Sequence, residues 1–93
     1  MSRPTIALIF NPAARGDKAA RFRKWLGQLP ADVVLLETFA PGSATGLARQ
    51  AVKDGFRTVV ASGGDGTINE VVNGLGQAPG ALVQVRLGIL PLG

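Results

Sequence analysis

The sequence predicts an α/β domain: an open parallel β-sheet with helices on both faces, three layers in all. Three observations predict it. Short apolar runs rich in β-branched residues alternate with stretches of helical period, giving the order β-α-β-α-β-α-β. The connections are short, and such alternation closes through right-handed crossovers. One strand-like run, Thr58-Val59-Val60-Ala61, passes through Ser62-Gly63-Gly64-Asp65-Gly66 into the series Ile68, Val71, Val72, Leu75, spaced i, i+3, i+4, i+7. A buried strand entering an amphipathic helix through a glycine turn suits an anion: glycines allow close backbone approach, and the helix N-terminus offers free N–H groups.

Thr5-Ile6-Ala7-Leu8-Ile9-Phe10 is almost wholly apolar and reads as a central strand buried on both faces. Asn11-Pro12 ends it, and Ala13 to Gly16 form a loop. From Asp17, the expected N-cap, the period becomes helical. Ala19, Phe22 and Leu26 share a face, Trp25 and Leu29 lie beside it, and Arg21, Arg23 and Lys24 fall elsewhere. Trp25 reads as a core or subunit contact rather than a stacking platform. Gly27 and Pro30 close the helix. Val33 to Thr38 is the second strand, and Pro41-Gly42 marks a turn. Ser43 is placed to cap a second helix with Ala44, Leu47, Ala48, Ala51 and Val52 inward, weakened by Gly46 and stopped by Gly55. The third strand is expected at about Thr58 to Ala61 and the third helix at about Thr67 to Leu75. Gly74, Gly76, Pro79 and Gly80 are read as a loop. The fourth strand is read at Leu87 to Leu90, with Val83 or Val85 as alternative starts.

At 93 residues the chain makes one domain and buries roughly 60–65% of its unfolded surface. The hydrophobic fraction of 46% fits a folded core. There is no cysteine, hence no disulfide framework, and no histidine, so acid–base chemistry would fall to Asp, Glu or Lys. No apolar run approaches the ~18–20 residues of a membrane span, and a cytoplasmic protein is expected. The net charge of +4 is uneven. Arg3, Arg15, Lys18, Arg21, Arg23 and Lys24 stand against Asp17 alone in the first 26 residues. That end reads as a solvated helix face, with anionic lipid or a nucleotide as the functional alternative.

In such sheets ligands bind at the C-terminal ends of the strands. Asn11, Thr38 and the glycine turn all fall there. The turn is no Walker A loop, since no GK[ST] follows, and it is no full dinucleotide fingerprint, since Asn69 stands where the third glycine belongs. Several residues carry two readings. Asp65, inside the turn, either caps the helix or meets a cation, a ribose hydroxyl or a donor side chain. Thr67-x-x-Glu70 fits a capping box. Asn11 is an Asx-turn former or a ligand contact. Asn69 lies within reach of a ligand, and Asn73 is expected to face solvent.

Asn11-Pro12 after the first strand, Gly63-Gly64-Asp65-Gly66-Thr67-Ile68-Asn69-Glu70-Val71 after the third, and Leu87-Gly88-Ile89-Leu90-Pro91-Leu92-Gly93 together resemble the diacylglycerol kinase catalytic domain. That family includes bacterial lipid kinases and sphingosine and ceramide kinases, and its GGDGT motif is related to those of NAD kinases and phosphofructokinases. The resemblance runs from about Ile6 to Gly93. It implies a phosphofructokinase/NAD kinase-like nucleotide-binding domain. ATP would lie along Gly63, Gly64, Asp65, Gly66, Thr67, Asn69 and Glu70, with Asn11 and Thr38 at the same edge. With Mg²⁺, its γ-phosphoryl would pass to a diacylglycerol-like lipid hydroxyl at a membrane surface, by a reaction that rests on positioning and charge neutralisation.

The family motif continues PLG-T-G/A-N-D, where this sequence reaches Gly93. The resemblance therefore implies that residues 1–93 are the nucleotide-binding part. A second, mostly β, lipid-binding domain would carry the catalytic base and metal ligands, so no catalytic or metal-ligating residue is assigned here. Turnover by this chain alone is not expected. Self-association through apolar surface is an expectation, as is peripheral membrane association. The alternatives are an NAD kinase-like enzyme and a non-catalytic nucleotide-sensing or interaction module. A nucleic-acid partner is not expected, since no recognition motif or aromatic platform accompanies the basic end.

Overall fold

The computed structural model describes residues 5–13, 16–78 and 85–91. The expected loop at Pro79 and Gly80, a fourth-strand start at Val83, and Arg3, Arg15, Leu92 and Gly93 lie outside them. The elements follow the expected order: β1 (Ile6–Phe10), α1 (Asp17–Leu26), β2 (Val33–Glu37), α2 (Ser43–Lys53), β3 (Thr58–Gly63), α3 (Asp65–Gln77) and β4 (Arg86–Pro91). All strand pairs are parallel, in the order β2-β1-β3-β4.

This order dictates the layers. The step from β1 to β2 and the step from β2 to β3 run in opposite directions across the sheet. Right-handed crossovers then place α1 on one face and α2 and α3 on the other. The pleat of β1 records the result. Ala7 and Ile9 pack with Val59, Ala61, Ala44, Ala48, Ala51, Val71 and Leu75. Phe10 packs with Ala19, Phe22, Leu26 and Leu35. β1 is buried from Ala7 to Phe10, as expected of the central strand. On the α1 side, Phe22 lies 5.1 Å from Phe10, and Trp25 lies 5.7 Å from Phe22. Trp25, expected in the core or at a subunit contact, rests on Phe22 with 45% of its surface exposed. On the other side of the sheet, β4 is an edge strand with Leu87, Ile89 and Leu90 exposed.

Several helix ends differ from expectation. Gly16, not Asp17, is the N-cap of α1; Asp17 is the first helical residue, where a carboxylate favours the helix dipole. Gly42 caps α2 in place of Ser43. The Ser43 hydroxyl oxygen instead accepts from the Phe39 and Ala40 N–H groups at 3.1 and 3.3 Å. Gly55 stops α2 as expected. Its φ of 92° accompanies two reversed bonds, Gly55 N–H to the Val52 carbonyl and Phe56 N–H to the Ala51 carbonyl.

The largest correction concerns Gly74 and Gly76, which lie inside α3 rather than in a loop. Glycine lowers helix propensity, so a propensity reading ends the helix before them. Packing overrides it: a Cβ at Gly74 would overlap the Thr45 carbonyl oxygen and sit 2.9 Å from the Ala48 Cβ. Here α2 and α3 touch backbone to backbone. The contact is fastened by the Thr45 hydroxyl donating to the Glu70 carbonyl at 2.9 Å. At the far end, Arg49 donates to the Gln77 side chain at 3.0 Å.

Two glycines should respond oppositely to alanine. Gly74→Ala forces α2 and α3 apart and is expected to lose about 1–3 kcal/mol in a urea unfolding experiment. Gly46, inside α2 with no atom within 4 Å of its would-be Cβ, is expected to gain up to about 1 kcal/mol. Equal effects at the two positions would contradict the packing described.

Candidate functional site

The sheet order reverses at β1. The C-terminal ends of β1 and β3 are therefore where neighbouring connections leave toward opposite faces, and a crevice opens. Two backbone bonds define its floor. Thr38 N–H donates to the Phe10 carbonyl at 2.9 Å, and Asn11 N–H donates to the Ser62 carbonyl at 3.1 Å. They bring the residue after β1, the residue after β2 and the glycine turn side by side. Over this floor lies a cleft of about 520 Å³ lined by Asn11, Pro12, Ala13, Thr38, Phe39, Ala40, Pro41, Gly66, Thr67 and Glu70. That volume lies within the range of small-molecule sites, about 300–1,000 Å³.

Each lining group has a structural reason for its place. The Asn11 side-chain oxygen accepts the Ala13 N–H at 2.9 Å, an Asx turn. The turn and a ligand role coexist. An N–H donor demands the oxygen, so the Asn11 Nδ2 donors are left for the cleft. The loop after β2 is held at its start by Thr38 and further on by the Ser43 hydroxyl. The loop after β1 is tied to α1 by the Arg23 guanidinium, which donates to the Pro12 carbonyl at 2.8 Å.

The glycine turn closes the remaining side. Gly63 ends β3 and Gly64 is the N-cap of α3, with no side-chain cap bond. Asp65 therefore does not cap the helix, and its reading as a cap is corrected. The capping box is corrected as well. Thr67 is buried in the first turn, and the Glu70 carboxylate reaches across to α2, where Oε1 accepts the Ala44 N–H at 3.3 Å. A side chain of α3 thus supplies the acceptor that α2 lacks at its own N-terminus. Ser43 was spent on the preceding loop. The N–H groups of Asp65, Gly66 and Thr67, in the first turn of α3, remain for a ligand.

The nine sequence-predicted residues divide. Asn11, Thr38, Gly66, Thr67 and Glu70 share the cleft. Asp65 and Asn69 lie around the helix end on a shallow, open surface with Gly66, Ile68 and Val72. Gly63 and Gly64 line neither. Gly63 is buried, and a Cβ there would come 2.8 Å from the Thr67 Oγ1 and 2.9 Å from its Cβ. It sets the distance between strand and helix. Gly64 meets nothing within 4 Å. Pattern reading missed Phe39, Ala40 and Pro41. A large aromatic in a strand-to-helix loop at the binding edge was the available signal, and Phe39 is 82% exposed. Beneath the turn, the Ser62 hydroxyl is buried with no hydrogen-bond partner.

The division gives contrasting expectations. Gly63→Ala should destabilise by about 1–3 kcal/mol through its clash with Thr67, while Gly64→Ala should leave the melting temperature nearly unchanged. Ser62→Ala removes an unsatisfied hydroxyl, so stability should hold or rise. Loss of fold in Gly64→Ala would contradict the open geometry of the turn.

Comparison with known proteins adds an identity. The family model for the diacylglycerol kinase catalytic domain matches residues 5–93. A diacylglycerol kinase of Staphylococcus aureus is 32% identical over 101 aligned positions, covering 98% of this chain and 29% of that protein. One from Staphylococcus haemolyticus is 46% identical over 52 positions, covering 56% of this chain and 15% of that protein. The crystal structure of a diacylglycerol kinase from Bacillus anthracis superposes with a TM-score of 0.75 at 28% identity, covering all of this chain and 34% of that one. The chain thus spans about a third of the length of these relatives. The parallel sheet with alternating helices agrees with this match: the chain belongs to the diacylglycerol kinase catalytic domain family.

Proposed function

We propose that this chain is the ATP-binding part of a lipid kinase that transfers the γ-phosphoryl of ATP to a diacylglycerol-like hydroxyl. One observation carries the reading: Asn11, Thr38 and the uncapped N-terminus of α3 converge on a single cleft at the reversal of the sheet. The N–H groups of Asp65, Gly66 and Thr67, with the positive end of the α3 dipole, receive the phosphates. Gly64 and Gly66, with no side chain over them, let the phosphates approach the backbone. Asn11 Nδ2 and the Thr38 hydroxyl donate to nucleotide oxygens. Phe39, exposed on the cleft wall, offers an apolar face to the base.

Glu70 has a positioning task. By capping α2 it fixes α2 against α3 and presents the first turn of α3 to the cleft. Mg²⁺ would arrive with the nucleotide. Among the described residues no three acidic side chains converge as a metal cage, and Mg²⁺ is usually held by substrate phosphates with one or two carboxylates. Glu70 lines the cleft but its Oε1 accepts from Ala44, and Asp65 lies outside the cleft on the neighbouring surface that shares Gly66 with it, so Asp65 would meet such an ion from that rim. The ion would neutralise charge on the phosphates. The lipid hydroxyl and the base that deprotonates it are assigned outside these 93 residues.

The full-length protein, given labelled ATP, Mg²⁺ and diacylglycerol, is expected to form labelled phospholipid. Phosphorylation of NAD in place of lipid would overturn the reading. In the 93-residue chain, Gly64→Val should weaken ATP binding on the order of tenfold or more while circular dichroism stays unchanged, because the branched side chain fills the space kept for phosphate. Asp65→Ala should weaken Mg·ATP more than metal-free ATP, with little change in melting.

A further inference from the structure

Given the nucleotide reading of the cleft, on which this rests, we propose that the site does not read the base: it holds a purine nucleoside triphosphate by phosphates and sugar, and GTP or inosine triphosphate binds about as well as ATP. The fate of the backbone donors on the two loop walls carries this. On the loop after β1, Asn11 N–H is spent on the Ser62 carbonyl at 3.1 Å, Pro12 has no N–H, and Ala13 N–H is spent on the Asn11 side-chain oxygen at 2.9 Å. On the loop after β2, Thr38 N–H is spent on the Phe10 carbonyl at 2.9 Å. The Phe39 and Ala40 N–H groups are spent on the Ser43 hydroxyl at 3.1 and 3.3 Å, and Pro41 has none. Among the described residues of the two walls, no backbone N–H remains for a base edge. The free N–H groups lie in the first turn of α3, where phosphates take them.

The side chains do not make up the loss. Pro12, Ala13, Phe39, Ala40 and Pro41 carry no hydrogen-bonding group. The donors Asn11 and Thr38 stand at the strand ends on the floor, beside the glycine turn, and the Thr67 hydroxyl lies against Gly63 within that turn. Glu70 has one carboxylate oxygen on the Ala44 N–H, and what it has left is an acceptor. An acceptor alone separates the purines poorly. Adenine answers it with its 6-amino group, and guanine with N1–H and its 2-amino group. Rejecting guanine takes a donor aimed at adenine N1, and strong discrimination comes only from such a buried, specific partner.

What remains for the base is Phe39, exposed on the cleft wall and held there by the two bonds to Ser43. An aromatic ring accepts any base, since every base has a π-face. The loop therefore trades its donors for a fixed stacking surface, and Phe39 sets affinity without setting identity.

Isothermal titration of the chain with the Mg²⁺ complexes of ATP, GTP and inosine triphosphate, and with tripolyphosphate, tests this. The three nucleotides are expected to agree in Kd within about threefold. Phe39→Ala should weaken all three by the same factor, on the order of tenfold, and leave tripolyphosphate unchanged. Circular dichroism should not move, since the ring is exposed. If ATP binds about tenfold or more tightly than the other two, or if Phe39→Ala alters the ratios among them, the nucleotide reading stands and this proposal is overturned. If no triphosphate binds at millimolar concentration, the nucleotide reading itself falls, and the proposal falls with it.

Discussion

Two backbone hydrogen bonds at the end of β1 hold the binding edge together. Phe10 offers its carbonyl to Thr38, and Asn11 offers its N–H to Ser62. Because β1 is paired in parallel on both sides, the ends of three strands arrive at one level, with Phe10 opposite Glu37 and Ser62. Everything polar in the cleft is placed relative to that line. A one-residue slip of β1 would exchange its two faces, sending Ala7 and Ile9 toward α1 and carrying Asn11 away from the glycine turn. The core therefore fixes the site: the small-residue packing under α2 and α3 and the Phe10–Phe22 stack under α1 each permit one register.

The glycines divide into two groups with different work. Gly63 and Gly74 are positions where the chain has no room for a Cβ, one between strand and helix and the other between two helices. Gly64 and Gly66 are positions where nothing in the protein comes near. Space that the fold does not use, next to free N–H groups of a helix, is what a phosphate needs. The same division separates substitutions that should unfold the chain from those that should only affect a ligand.

Much of this was legible in the sequence. Short apolar runs rich in β-branched residues and stretches of helical period placed all seven elements, and the breaks at Asn11-Pro12, Pro41-Gly42 and Gly55 located their ends to within a residue or two. Asn11, Thr38 and the glycine turn were assigned to one edge from connectivity alone. What stayed hidden depended on contacts between distant segments. Gly74 looked like a helix breaker because propensity is local, whereas its reason lies in Thr45 on another helix. Thr67 and Glu70 matched a capping box by spacing, yet Glu70 serves the N-terminus of α2. Asp65 and Asn69 share a motif with Gly66 and Thr67, but the turn of the helix carries them to its outer side. Phe39 sits in a loop without periodicity, and only its exposure beside the cleft marks it.

The central claim is that the cleft at the reversal of the sheet, and no other surface of this chain, receives ATP. Titration of the isotopically labelled chain with ATP, followed by amide chemical shifts, tests it most directly. The account predicts saturable shifts concentrated at Asn11, Thr38, Phe39 and Gly63 to Thr67, with β4 and the outer face of α1 unmoved. Shifts confined to the basic residues of α1, or none at millimolar nucleotide with the fold intact, would contradict it.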